Sequence, residues 1–240
     1  MMTIQHRFTS FCRRLTAVGA FVLLPAAMMA QTMNPQAYYD EKGTQTETRT
    51  ISDAQAPLTV EFRSNPIGID GYTASYEWHF RHKPAGGTQR EIFVRYEENT
   101  SYTFMESGSY TIVQKYKLVK PDDEIADSAE ITVEICESKL EFPNAFSPND
   151  DGINDIYRAK RDYKSIVSFR AIILNRWGQK LYEWNNPEDG WNGKYHGNDV
   201  KEGVYYVLIE AKGADGKEYK IKKDINLLRG HTEKSGTTTP

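Results

Sequence analysis

The chain holds 240 residues with 30 basic against 33 acidic side chains, a formal net charge of −3. That near-neutral balance, with no basic stripe and no acidic run, argues against a nucleic-acid partner and against a solvating tail. The length suits one large domain or two of about 100 residues, each able to bury a core without staples. At the N-terminus, His6, Arg7, Arg13 and Arg14 precede an apolar stretch over residues 15–30, broken by Pro25. A basic flank and a short apolar run predict a signal peptide over residues 1–30, cleaved after Ala30, with export through the inner membrane. The stretch is too short and too lopsided in charge for a comfortable span, so the mature chain is expected to carry no transmembrane segment. Cys12 lies in this leader, which leaves Cys136 as the mature chain's single cysteine and rules out an internal disulfide.

Residues 31–46 are polar and irregular and predict a flexible lead-in. From 47 to 137 short alternating runs recur at 58–62, 74–82, 91–96, 101–104, 109–119 and 128–135. Asn65-Pro66, Pro84-Ala85-Gly86-Gly87, Glu106-Ser107-Gly108 and Pro121-Asp122-Asp123 punctuate them. That spacing predicts an all-β sandwich. Tyr76, Trp78 and Phe80 fall on one face of a strand, and Gly108-Ser109-Tyr110 opens a long alternating strand. This pair of features resembles the PKD repeat, an immunoglobulin-like sandwich with a central Trp strand and a late Gly-x-Tyr strand. The family's Asp-rich stretch after the Trp strand is replaced by Arg81-His82-Lys83-Pro84. Cys136 ends the strand-like run of Ile131, Val133 and Ile135 and is expected to be buried or half-buried.

A short junction leads into a second domain over residues 138–229. Runs at 168–174 and 180–184 bracket Asn175-Arg176-Trp177-Gly178-Gln179, and runs at 204–212 and 217–228 bracket Gly213-Ala214-Asp215-Gly216. Both read as hairpins, the second with an Asp-Gly turn that tolerates positive φ. A second small β-sandwich is expected, so the fold class is all-β, two β-sandwich domains in tandem after the signal peptide. Residues 230–240 carry no apolar side chain and are expected to be disordered.

Four ordered motifs mark this second domain. Pro143, Asn144, Phe146, Pro148, Asn149, Asp151, Gly152, Asn154 and Asp155 form the first. Asn175-Arg176-Trp177-Gly178 is the second, Trp191-Asn192-Gly193 the third, and Glu202-Gly203-Val204-Tyr205 the fourth. Together they resemble the gliding-motility-associated C-terminal domain, the type B sorting domain of the type IX secretion system. Two departures stand out, Asn192 for an Asp, and a strand start at Glu202-Gly203-Val204-Tyr205-Tyr206 that lacks the Pro of the family's Pro-x-Gly-x-Tyr-x-Tyr. The resemblance implies the type IX secretion machinery as partner, passage across the outer membrane, and release or attachment at the cell surface. The first domain would then be the passenger.

The remaining candidates are local. Asn149, Asp151, Asn154 and Asp155 cluster oxygen donors around Gly152, as a structural Ca²⁺ would require; no other cofactor is implied. Placing Gly152 at the sixth position of an EF-hand puts Arg158 where a carboxylate belongs, and the alternative is a turn in which these side chains bond backbone amides. Trp177, Trp184 and Trp191, with Tyr182, could form a carbohydrate-stacking platform or ordinary packing. His79 and His82 point to opposite strand faces, and no zinc-like spacing or nucleophile elbow occurs, so no catalytic residue is assigned. Asp127-Ser128-Ala129 matches a short O-glycosylation sequon used by some bacteria with this secretion system, with Ser128 as acceptor. The reading that follows is a non-catalytic exported protein with an adhesion or structural module that meets a surface polysaccharide or protein partner. Its alternatives are a carbohydrate-binding accessory protein and a periplasmic or outer-membrane subunit of a secretion or gliding machine.

Overall fold

Alternation of apolar and polar residues builds nearly every element of the computed structural model, which describes residues 32–41 and 43–230. The expected signal peptide and all but Gly230 of the expected tail lie outside the described residues. The first unit contains β1 (Thr32–Met33), β2 (Gln36–Glu41), β3 (Thr44–Thr48), β4 (Thr50–Ala54), β5 (Leu58–Arg63) and β6 (Pro66–Ile67). It continues with β7 (Thr73–Lys83), β8 (Arg90–Arg95), β9 (Thr100–Phe104), β10 (Gly108–Lys120) and β11 (Asp123–Ile135). Two sheets face each other, ordered β3-β2-β5-β9 and β4-β11-β10-β7-β8. All neighbours in the second sheet are antiparallel except β4, which runs parallel to β11 through Thr50↔Thr132 and Ile51↔Val133.

Between the sheets lie Val60, Phe62, Trp78, Phe80, Phe104, Ile112, Ile131 and Val133, all buried. Phe62 meets Phe80 edge-to-face at 5.4 Å, a favoured arrangement of ring quadrupoles. The indole N–H of Trp78 donates to the Glu97 carbonyl at 3.0 Å, so the largest buried side chain leaves no orphan donor. Tyr110, at the start of β10, donates its hydroxyl to the Glu106 carbonyl four residues upstream. This is the tyrosine corner of immunoglobulin-like sandwiches.

Of the lead-in expected over 31–46, residues 32–33, 36–41 and 44–46 are instead strand. β2 joins β5 through Ala37↔Phe62 and β3 through Ala37↔Thr48. Ala37 is fully buried and the Arg63 guanidinium sits 4.5 Å over the Tyr38 ring. Thr, Gln and Glu fill the outward positions of this edge, so composition alone reads as irregular. The hairpin of β10 and β11 also closes sooner than expected, at Lys120↔Asp123. Cross-strand pairs such as Lys117 with Glu124 at 2.9 Å hold a polar half-strand that has no apolar alternation.

The second unit contains β12 (Ala145–Phe146), β13 (Ile166–Leu174), β14 (Lys180–Trp184), β15 (Lys194–Tyr195), β16 (Asn198–Asp199), β17 (Gly203–Gly213) and β18 (Glu218–Leu227). Its main sheet is ordered β12-β18-β17-β13-β14, again with a short first strand parallel to the last. The order repeats that of the first unit's five-stranded sheet strand for strand. Here the second layer is irregular chain and the β15–β16 hairpin, which bring Phe142, Tyr157 and Trp191 onto Phe169, Ala171, Ile173, Val207 and Ile209.

The two units share an interface. Ala214, in the β17–β18 turn, is buried in the core cluster of the first unit, with Val167 packed against it. The Ser107 N–H donates to the Ala214 carbonyl at 3.0 Å and the Ala56 N–H to Ser165 Oγ at 3.2 Å. Lys164 pairs with Asp53 at 3.1 Å at the rim. A cleft of about 580 Å³ beside this contact is lined by His82, Ser107, Glu137, Lys212 and Asp215 among others.

Candidate functional site

The four motifs, spread over sixty residues of sequence, meet at one end of the second unit. Phe146 stands 5.4 Å from Trp191, and Trp191 packs edge-on against Tyr205 at 5.1 Å. Trp191 is fully buried, and its indole N–H donates to the Lys194 carbonyl at 2.8 Å. Tyr157 and Trp191 exchange backbone hydrogen bonds at 2.8 and 3.0 Å, which fixes the irregular layer over the sheet. Tyr205 donates its hydroxyl to the Lys201 carbonyl at 2.7 Å, a second tyrosine corner.

Arg229, just past β18, closes this end. Its guanidinium donates to the Pro148 and Gly193 carbonyls, both at 2.8 Å, and lies 3.4 Å from the Asp199 carboxylate. The Glu202 carboxylate in turn accepts the N–H of Gly230 at 2.7 Å. Gly193 has φ +74°, and a Cβ there would meet Pro148 Cγ at 2.9 Å, so the third motif needs glycine on two counts. Sequence reasoning missed Arg229 because it acts on backbone carbonyls, which leave no trace in side-chain patterning. Asn144 bonds β18 through the Asn226 N–H at 2.9 Å, and Pro143 is half-buried beside it.

The loop of the first motif is braced by its own side chains. Asp155 Oδ1 accepts the N–H groups of Asn149 at 2.9 Å and Asp150 at 2.8 Å, and Oδ2 accepts that of Gly152 at 2.8 Å. Asp151 accepts the Ile153 N–H at 2.8 Å and the Asn149 amide at 3.0 Å. Gly152 and Asn154 take φ of 83° and 55° in the turn. Burial raises the Asp155 pKa, but the N–H bonds outweigh it and hold the carboxyl below its usual range. These carboxylates are turned to backbone amides rather than to a common centre, and no three His, Cys, Asp or Glu side chains among the described residues could hold a metal. The side chains of Asn149, Asp151 and Asp155 thus bond backbone amides of the turn, the arrangement that stood as the alternative to a Ca²⁺ site.

The second motif is the outward-facing one. Asn175 Oδ1 accepts the N–H groups of Trp177 and Gln179, and Gly178 turns at φ +78°. Trp177 is 81% exposed, with the Arg176 guanidinium 5.3 Å over its ring. Gln179 donates to the Tyr195 hydroxyl at 3.2 Å, which ties this hairpin to β15.

Trp184 and Trp191 are core residues, 4% and 0% exposed. A stacking platform of the three tryptophans together is therefore not formed, and of the three Trp177 alone is open to solvent. The spacing of Trp184 and Trp191 placed them on inward positions of a strand and of the covering layer. His79 is held between Glu77 and Glu91, at 3.0 and 2.8 Å. His82, on the other face, is buried against Tyr110 and bonds the Ser107 carbonyl. Cys136 is half-buried at the interface, its Sγ 3.2 Å from Ser165 Oγ. Ser128 lies exposed in β11, opposite Lys115, on the stretch of that strand not paired with β4.

Residues 140–225 match the family model of the CHU_C Type IX secretion signal domain. The residues so matched contain all four motifs complete, together with the whole β12–β17 framework. No curated protein matches the chain. Among solved structures, the chicken CNTN1 FN1–FN3 domains align with 12% identity and a TM-score of 0.23, covering 78% of this chain and 72% of that one. A tetra-tandem repeat from the extending region of a large adhesion protein aligns with 12% identity and a TM-score of 0.25, covering 83% and 68%. Among the described residues no helix is long and apolar enough to cross a membrane.

Proposed function

We propose that this chain is cargo of a type IX secretion system, delivered to the cell surface or the medium, with the first sandwich as a non-catalytic adhesion or structural module. The observation that carries the reading is the signal domain over 140–225. Its motifs close on one another through Arg229, Trp191 and Tyr205 while Trp177 is left open to solvent. Such a layout separates scaffold from display: the buried residues hold the end rigid, and the Arg176–Trp177 hairpin is free for a receptor to read. An exposed Trp beside an Arg has the composition of a protein-interface hot spot. The leader over residues 1–30 would carry the chain to the periplasm, where the machinery meets this end.

The test is localisation of the native chain. Cells with and without a working type IX system are fractionated, intact cells are shaved with protease, and both termini are mapped by mass spectrometry. Surface exposure that vanishes in the secretion mutant supports the reading. A full-length chain held in the periplasm of both strains overturns it and points to a subunit of a secretion or gliding machine. Trp177→Ala, at a position 81% exposed, should lower export without altering the fold.

A further inference from the structure

The outer face of the signal domain's main sheet carries an apolar row that the fold does not require. On the sheet's open side, β13 places Ile172 beside Leu208 of β17, and Leu174 beside Tyr206. Val204 extends the row at the start of β17. Val204 and Tyr206 are 46% and 45% exposed. The first unit supplies an internal control, because its five-stranded sheet has the same strand order. There the corresponding outward pairs are Val113 with His79, Lys115 with Glu77 and Thr111 with Arg81. One copy of this sheet is polar outside and the other is apolar along its middle.

The row has charged banks, and their signs are ordered. On the β18 side, Asp224 registers with Tyr206 and Lys222 with Leu208. On the β14 side, Lys180 registers with Leu174 and Glu183 with Ile172. Along each register line the two banks therefore carry opposite charge. Asp224 and Lys222 make no ion pair within the described chain, whereas Glu183 is paired with Arg170 and Lys180.

We propose that this face binds the same face of a second copy, forming a two-fold dimer with its axis parallel to the strands, between β17 and β13. That operation keeps each register line and exchanges the banks. Tyr206 then lies over Leu174 of the second copy, and Leu208 over Ile172. Asp224 comes opposite Lys180, and Lys222 opposite Glu183. A two-fold contact must be self-complementary in this way, and two twisted sheets stack face to face about 10 Å apart with strands nearly aligned. The sign alternation is what singles out a second copy as the occupant: the surface is its own electrostatic complement under one rotation.

The experiment is sedimentation velocity of the chain from Gln31 to Pro240 over a range of concentrations, with circular dichroism to confirm folding. A concentration-dependent dimer is expected. Tyr206→Lys, at an exposed position, should weaken it about a hundredfold by placing like charges at the centre of the face. Asp224→Lys should weaken it about tenfold, since symmetry counts the change twice, and adding Lys180→Asp should restore most of that loss. A chain that stays monomeric at every concentration overturns the proposal. So does a dimer indifferent to Tyr206→Lys, or a charge swap that fails to restore. Export in the secretion assay is a separate readout, so failure here leaves the cargo reading standing.

Discussion

Arg229 spans carbonyls from two motifs that are otherwise forty-odd residues apart in sequence, and its position after the last strand makes it the latch of the signal domain. Charge-assisted hydrogen bonds contribute more than neutral ones, so Arg229→Ala should cost about 2 kcal/mol, read as a lower urea midpoint. Lys in its place should rescue little, because an ammonium cannot reach both carbonyls with the fork geometry of a guanidinium. An unchanged midpoint in Arg229→Ala would show that the latch is ornamental. Tyr157 presents the opposite case. Its hydroxyl is buried with no hydrogen-bond partner among the described residues, and burial pushes its pKa up. Tyr157→Phe removes that orphan and should leave the fold as stable or raise it by about 1 kcal/mol; a clear loss would reveal a partner. Asp155 adds a pH signature. Its pKa is held low in the folded chain by the N–H groups of the loop. Its contribution is therefore present above the unfolded value of about 3.9 and lost as pH falls through the lower folded value. Urea midpoints followed from neutral into acid should fall less steeply in Asp155→Asn than in the parent.

At the scale of elements, the chain uses one five-stranded sheet twice, and each copy opens its central strand with Gly-x-Tyr. Gly108 and Gly203 both take strongly positive φ, 128° and 140°. Tyr110 and Tyr205 each donate to a carbonyl four residues back. The two corners should behave alike: Tyr110→Phe and Tyr205→Phe should each cost about 1 kcal/mol in chemical denaturation, and a neutral Tyr205→Phe would break the equivalence. The long strands of both units were legible because period-two alternation is strong wherever one face is buried. β2 and β3 were not, since a polar edge strand satisfies its backbone by pairing and needs few apolar residues. The second unit's missing partner sheet was equally hidden. Phe142, Tyr157 and Trp191 cover the core from irregular chain, where no periodicity announces burial. The motifs showed which residues belong to the site, but not that Trp191 and Tyr205 are its interior and Trp177 its surface.

The whole molecule is held together by a turn. Ala214 completes the first unit's core although it belongs to the hairpin between β17 and β18, more than seventy residues beyond the first unit's last strand. Small size suits it to this place, and the flanking bonds from Ser107 and Ser165 leave its backbone satisfied inside the contact. The two units are thereby linked through a buried contact rather than a strap alone. Denaturation of the chain should accordingly show one transition by intrinsic fluorescence, with Trp78 reporting the first unit and Trp184 and Trp191 the second. Ala214→Glu would bury a carboxylate in the first core without a partner, a change that costs about 3 kcal/mol or drives the turn out. The expected outcome is that Ala214→Glu splits the single transition in two, with the first unit unfolding earlier while the signal domain keeps its midpoint. Two transitions already present in the parent, unchanged by the substitution, would mean that the turn merely touches the first unit, and that passenger and signal are independent bodies joined by a short strap.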